Sequence, residues 1–292
     1  MINQVTKDKV RALKKEYDTL KIQQDQLLRL LNEKELPEMV YNSNAIENST
    51  LTLEETEKII NDNITPKNVS LRELFEAKNL ASILDFLSEN SNTGITEDTI
   101  LKLHNMLLRQ IDDSIAGRFR SKYERVRVGG HIAPPSEHVQ RMIEDAITHY
   151  TSDGESYFLD KIAVFHARFE WIHPFLDGNG RTGRVLLNMQ LIELGYPPII
   201  IRSKNKHKDY YPQFVKYQDK KDFSGFTELF ALLLMESLHK RIAYLKGLEI
   251  VRLSEYTQQR GGSVTAALNA ARRQTIPAFR ESGVWKIGAT LQ

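Results

Sequence analysis

The 292-residue chain has no cysteine. That excludes disulfides and thiolate metal sites and fits a reducing compartment. No apolar run approaches the roughly 20 residues of a membrane helix, so no membrane partner is expected. The first stretch, MINQVTKDKVRALKKEYDTL, carries charges every few residues and no apolar centre. It is not a Sec-type signal, and the expected location is cytoplasmic. Internal repeats are missing too. The net charge of +2 is too small to argue for any partner, but its distribution is uneven, because from Lys240 onward nine Lys and Arg face three Asp and Glu. With 41% hydrophobic and 27% charged residues, the composition is that of a globular protein with a real core.

What the chain does have is helical periodicity. Val10, Leu13, Tyr17, Leu20, Leu27 and Leu31 follow a 3-4 spacing, interrupted at Gln24, in a helix expected to stop near Pro37. The TLEE stretch, Thr52 to Glu55, reads as a capping box opening a helix to about Asn61. Further helices are expected near residues 71–89, 97–109, 137–150 and 160–172. Between Tyr123 and Val128 basic and apolar residues alternate before Gly129-Gly130, the only convincing hairpin signal. The fold class is therefore all-α, mainly helical, with a β-hairpin flap. A first domain-sized unit should end near Arg241, followed by a Gly261-Gly262 linker and a small basic tail.

One segment does not fit plain packing: HPFLDGNGRTGR, His173 to Arg184. Ile162, Phe165, Phe169 and Ile172 before it share a helical face, and VLLNMQLIEL after it resumes helix up to Gly195. It is a helix–loop–helix junction. Gly178, Gly180 and Gly183 let the backbone approach a ligand, and its N–H groups beside a helix N-terminus form an anion seat. Arg181 and Arg184, three apart, should project together toward that seat. His173 can accept a proton, and Asp177 is a natural Mg²⁺ ligand near phosphates. GNGRTG also fits the G-x-G-x-x-G dinucleotide pattern. The preceding element is helical, however, and no acidic residue follows at the required distance, so that reading fails. A Walker A loop fails as well, because no Gly-Lys-Ser/Thr follows. His166, seven residues earlier, reads as a packed helix residue.

The segment resembles the signature of the Fic family, His-Pro-Phe-x-Asp/Glu-Gly-Asn-Gly-Arg-x-x-Arg, at every specified position, over a core of about residues 95–240. Members with the full motif are mostly nucleotidyltransferases that move AMP from ATP to a Ser, Thr or Tyr hydroxyl of a protein. The resemblance implies His173 as general base and Asp177 as Mg²⁺ ligand. Asn179 and the backbone of Gly178, Gly180, Arg181, Thr182 and Gly183 would cradle the phosphates. Arg181 would meet the β-phosphate and Arg184 the γ-phosphate. Arg125, Val126, Arg127 and Val128 would form a flap that holds the target by strand pairing. One of Tyr210 and Tyr211 would line the adenine pocket, with plain core packing as the other reading. ATP is the implied substrate and Mg²⁺ the cofactor. The target is another protein or the chain itself, and a homodimer is the implied assembly.

The SNAIEN stretch resembles a second family pattern, Ser/Thr-x-x-x-Glu-Gly/Asn, of an inhibitory helix placed before the core. Glu47 would then pair with Arg184, with Ser43 capping the same segment and Asn48 closing the motif. The alternative is a local capping box of Asn44 with Glu47. The resulting division is an N-terminal region 1–94 with the inhibitory helix at about 41–50, a catalytic domain 95–240, and a C-terminal region 241–292. AARRQTIPAFRESGVWKIG, Ala270 to Gly288, resembles the end of an excisionase-type winged helix. Its Arg272, Arg273, Arg280 and Lys286 could contact phosphates, which makes DNA a second candidate partner, with a structural wing packed against the core or a dimer contact as the other reading. Two nearer alternatives keep the fold: another donor, or removal of AMP. Glycine at position 180, where phosphate-transferring relatives often carry lysine, favours ATP.

Overall fold

A computed structural model describes residues 2–90 and 92–290. Twelve α-helices and five short strands are found among them. They fall into two compact units, one of residues 37–196 and 200–227, the other of residues 2–36, 197–199 and 228–292.

The long first helix of the sequence reading is two. Helix α1, Gln4–Leu20, ends at the turn around Gln23, whose φ of +61° no helix accepts. Helix α2, Asp25–Ile46, includes Pro37 rather than stopping at it. A proline inside a helix removes one hydrogen bond and costs about 3 kcal/mol. Side chains bound on either side of it offset that cost. Glu35 pairs with Arg241 (2.6 Å) and Lys240 (2.9 Å), and Glu38 pairs with Arg202. Tertiary ion pairs override the local breaker here.

In the unit of residues 37–196 and 200–227, helices begin where small polar side chains cap them. Thr52 and Glu55 form the reciprocal box that opens α3, Leu53–Asn61. Ser70 caps α4, Leu71–Glu89, and Thr96 caps α5, Glu97–Leu108. Helices α6, Val139–Ser152, and α7, Phe158–Ile172, follow the flap. Helix α8, Asn179–Glu193, is the centre of the unit: it is buried on nearly all sides and packed by α4, α5 and α7. Ile162, Phe165, Phe169 and Ile172 of α7 are all buried, as their common face requires. After Gly195 (φ +72°) the chain reaches a π-helical turn, Lys206–Tyr210, and α9, Tyr211–Lys220. The flap is shorter than its alternation suggests: β1, Arg127–Val128, pairs antiparallel with β2, His131–Ile132, across Gly129-Gly130.

The other unit contains α1, most of α10 (Ser224–Leu245) and a small three-stranded sheet. Strand β3, Glu249–Arg252, is followed by α11, Leu253–Gln259, and α12, Val264–Arg272. Strands β4, Ala278–Glu281, and β5, Val284–Ala289, pair as a second hairpin, the wing that the resemblance to a winged helix implies. Gly261-Gly262, read as a linker, is the tight turn between α11 and α12.

Candidate active site

The segment from His173 to Arg184 is held in place by residues that were not singled out in the sequence. His173 ends α7 in the left-handed region (φ +52°), its N–H donating to the Phe169 carbonyl at 2.9 Å. Arg120 clamps the bend from outside, donating to the carbonyls of His173 (2.9 Å), Ile172 (3.2 Å) and Pro134. His104 stacks on Phe175 at 3.6 Å between ring centroids. Its Nδ1 accepts from the Gly117 N–H (3.0 Å), so its Nε2 carries the proton donated to the Asp177 carbonyl (3.0 Å). Burial lowers the pKa of His104 to about 4, keeping it neutral in this role. Isolated His and Arg residues outside a motif give no sequence signal of such a task.

Asn179 also serves the loop. Its amide donates to the Phe175 carbonyl and accepts from the Phe175 N–H, both at 2.9 Å. Both ends of its side chain are thus spent on the loop rather than turned toward an anion. Gly178 takes φ +79°, a conformation that favours glycine, and its N–H donates to Asp177 Oδ1 at 2.6 Å. Thr182 is buried, and its hydroxyl finds no partner.

The two arginines do not point the same way. Arg181 turns to Glu76 of α4 (2.9 Å) and Asp177 (3.3 Å). Arg72, one turn earlier on α4, bonds Asp177 Oδ2 and Glu76 Oε1, closing an alternating ring of two cations and two anions. Burial raises the pKa of Asp177, but Arg181, Arg72 and the Gly178 N–H outweigh it, and the net shift is downward. Arg184 turns to α2. Its Nη2 donates to Glu47 Oε1 (2.8 Å) and the Ser43 carbonyl (2.8 Å), and its Nε donates to Ser43 Oγ (3.0 Å). Glu47 thus meets Arg184, the pairing that the inhibitory-helix resemblance implies, while the local capping box and the Ser43 cap are not formed. Glu47 does not bond back to its own helix start, and Ser43 lies inside α2 as an acceptor for Arg184 rather than as a cap.

The end of α2 is fastened by the loop that precedes α9. Lys206 Nζ donates to the carbonyls of Ala45 (3.1 Å) and Ile46 (2.8 Å) and to Asn48 Oδ1 (2.8 Å). Tyr211 donates its hydroxyl to the Ile46 carbonyl at 2.9 Å. A lysine at the negative end of a helix satisfies the last carbonyls.

A cavity of about 400 Å³ collects Glu47, His173, Gly180, Arg184, Tyr210, Tyr211 and the flap residue Val128 on one wall system. Ala167, Glu170, Trp171 and Phe214 also line it, with the flap turn through His131 and further residues of α9. Asp177, Asn179, Arg181 and Thr182 lie outside that lining, as do Arg125, Val126 and Arg127 of the flap and the motif residues Ser43 and Asn48. Tyr210 is buried against His166, with a 2.7 Å bond between its hydroxyl and the ring nitrogen, so Tyr211 is the more open of the pair. His131 ties the flap to α7 through the Trp171 carbonyl at 2.8 Å.

Two glycines explain themselves by what surrounds them. A Cβ on Gly183 would come within 2.2 Å of the Glu170 carboxylate. A Cβ on Gly180 would come within 2.2 Å of Glu47 Oε1. Glu170 faces burial and the neighbouring Glu47, with Arg184 opposing, and its pKa rises to about 8. His173 is pushed down to about 4, mainly by burial, and is neutral near pH 7. Its Nδ1 lies 3.2 Å from the Glu170 carbonyl, which can only accept. The proton therefore sits on Nδ1, and Nε2 is left as a free base.

The chain resembles known proteins in sequence and in fold. Residues 94–191 match the Fic/DOC family. The Protein adenylyltransferase Fic of Nematostella vectensis is 34% identical over 178 residues, 59% of this chain and 41% of that protein. Its namesake in Drosophila virilis is 30% identical over 251 residues, 84% of this chain and 50% of that protein. The chain thus spans about half the length or less of these curated relatives. A Fic-domain-containing signaling protein of Bacteroides thetaiotaomicron superposes with a TM-score of 0.74 at 26% identity, covering 82% of this chain and 97% of its own. The likeness to the Fic/DOC family is carried by residues 94–191, the segment that holds His173 and Arg184.

Proposed function

We propose that the chain is a protein adenylyltransferase held in check by its own α2: it moves AMP from ATP to a hydroxyl of a target protein or of itself. The observation that carries this reading is the meeting of His173, Arg184 and Glu47 in one cavity large enough for a nucleotide. His173 Nε2 takes the proton of the attacking hydroxyl. The hydroxyl oxygen bonds to the α-phosphorus, and the bond to the departing pyrophosphate breaks. Positioning and charge neutralisation carry most of such a transfer.

Backbone N–H groups at the start of α8 and the Arg181 and Arg184 guanidiniums are the groups to hold the phosphates. Asp177 suits Mg²⁺. It is a hard oxygen donor, its side chain is 37% exposed, and Mg²⁺ asks for one or two carboxylates beside phosphate and water oxygens. Bound there, Mg²⁺ would neutralise charge on the polyphosphate. Val128 and its hairpin neighbours Arg125, Val126 and Arg127 offer the open edge for a target segment, and Tyr211 offers a face for adenine.

Glu47 on Arg184 occupies the guanidinium that the terminal phosphate needs, which makes α2 a brake. The test uses radiolabelled ATP with the full chain. Glu47→Gly should raise self-labelling or labelling of a target at least tenfold, and adding His173→Ala should abolish it. Unchanged labelling in a folded, ATP-binding Glu47→Gly variant removes the brake; labelling that survives His173→Ala removes the base. Location in the cytoplasm and a homodimeric state belong to the same reading. Among the described residues no helix is long and apolar enough to cross a membrane.

A further inference from the structure

The basic end of the chain builds a complete winged helix-turn-helix, which the sequence alone left without a first helix. Residues 228–245 of α10 supply it, followed by β3, α11, α12 and the β4–β5 hairpin. The strands pair antiparallel in the order β3-β5-β4. Gly261 (φ +67°) makes the turn between α11 and α12, and the Gly262 N–H donates to the Thr257 carbonyl at 2.9 Å. Leu253, Ala271, Ala278 and Ile287 form its core, with Leu268 and Trp285 packed against them. Ser282 (φ +47°) and Gly283 (φ +78°) give the wing a two-residue turn, both centres left-handed.

The charges of this module divide into used and unused. Arg280 is spent on Glu236 (2.5 Å), and Lys286 on Glu281 (2.6 Å), so these two candidates for phosphate contact serve packing instead. Arg252, Arg260, Arg272 and Arg273 are exposed. Arg252 lies 3.8 Å from the exposed Glu255, and Arg260 lies over the Tyr256 ring at 3.9 Å, surface contacts that leave all four arginines accessible. Within residues 249–290 the exposed acids are Glu249 and Glu255. On α12, Thr265, Asn269 and Arg272 share one face by their i, i+4, i+7 spacing, and Asn269 accepts from Arg272 at 3.1 Å. The exposed neighbours of Thr265 are small, which lets a helix backbone come close to a groove. The one large apolar side chain exposed in this module is Val284 at the wing tip, 42% exposed. A protein partner would want a buried aromatic or aliphatic anchor that this surface does not present.

We infer that α12, with the wing beside it, docks on duplex DNA through these four arginines, a binding function separate from the nucleotide site. The helix enters the major groove, and the arginines meet phosphates on its flanks. The module lies wholly within the unit of residues 2–36, 197–199 and 228–292, so the inference does not rest on the cavity described above.

Fluorescence anisotropy of the full chain with a labelled 30-base-pair duplex tests it. Four neutralised phosphates give a slope of log K against log salt of about −3.6, or roughly a 150-fold weakening from 50 to 200 mM NaCl. Arg272→Ala/Arg273→Ala should halve that slope and weaken binding at 50 mM at least tenfold, with the circular dichroism spectrum and self-labelling unchanged. Arg11→Ala, an exposed arginine of α1, should leave binding unaltered. Absence of binding at 50 mM salt overturns the inference. So does binding that ignores the Arg272→Ala/Arg273→Ala change, and so does loss of a chain–chain association, rather than DNA binding, in that double variant.

Discussion

The carboxylate of Glu47 lies where a side chain on Gly180 would begin, with Oε1 only 2.2 Å from the position of a Cβ there. The same Cβ would stand 3.1 Å from Arg184 Nη1. On the proposed function, a bare backbone at Gly180 serves two occupants in turn, the Glu47 carboxylate and the phosphate that would replace it. Gly180 sits in α8 without a positive φ, so alanine is tolerated by the backbone. Gly180→Ala should then act with opposite signs in two backgrounds. In the wild type it dislodges Glu47 and raises self-labelling several-fold. In Glu47→Gly it narrows the seat and lowers labelling. Labelling assays on the four variants check this, and equal signs in both backgrounds would show that the two occupants do not share the position.

Lys206 and Tyr211 fasten the carbonyl end of α2 that carries Glu47. Hydrogen bonds to a charged group are worth about 1.5–3 kcal/mol, so losing Lys206 frees this helix end without removing the inhibitory carboxylate. Lys206→Ala should raise labelling about three- to tenfold, less than Glu47→Gly, and should speed amide hydrogen exchange at residues 44–48. Faster exchange without any rise in labelling would separate the latch from the brake.

Much of the site was legible because its residues are adjacent in sequence. His173, Asp177 and Arg184 stand in one twelve-residue run whose composition no core segment requires. The supports were not legible. His104, Arg120 and Arg72 act through one or two contacts each with that run, hydrogen-bonding it from 53 to 105 positions away in the chain. A lone histidine or arginine carries no pattern by which to find such a partner. The helices at 71–89 and 97–109 were readable from their apolar period, whereas the passage of α2 through Pro37 was not, because ion pairs from elsewhere in the chain decide it. The divergence of Arg181 and Arg184 was hidden for the same reason: each goes to its own acid, Glu76 or Glu47.

Arg72 holds the carboxylate that would receive the cation, so Mg²⁺ binding at Asp177 would have to exchange this partner. Arg72→Ala removes the competitor, while Arg181 still faces Asp177 at 3.3 Å. In the Glu47→Gly background, half-maximal labelling should therefore require two- to fivefold less Mg²⁺, with the rate at saturating Mg²⁺ little changed. A higher Mg²⁺ requirement would instead make Arg72 a support that presents Asp177 rather than a competitor for it.

Two buried histidines, His104 and His166, and the half-buried His173 stay neutral near the α7–α8 junction, and they set how stability responds to acid. Burial, the leading cause in each case, lowers His104 and His173 to about 4 and His166 to about 3. Between these values and the ordinary 6.5, the unfolded chain binds protons that the folded chain refuses, so the stabilisation present above pH 6.5 is lost progressively as pH falls below it. Glu170 works in the opposite direction. With its pKa raised to about 8, chiefly by burial, it keeps a proton in the folded chain that the unfolded chain releases above about 4.5, and stability from this group falls as pH rises from there toward 8. Three groups against one leave a net loss on acidification from pH 6.5 to 5, read as a falling Tm. Glu170→Gln removes the opposing proton, so its Tm should fall more steeply over that interval and lose less between pH 7 and 8 than the wild type does. Parallel Tm profiles for the two proteins would mean that Glu170 is ionised in the folded chain.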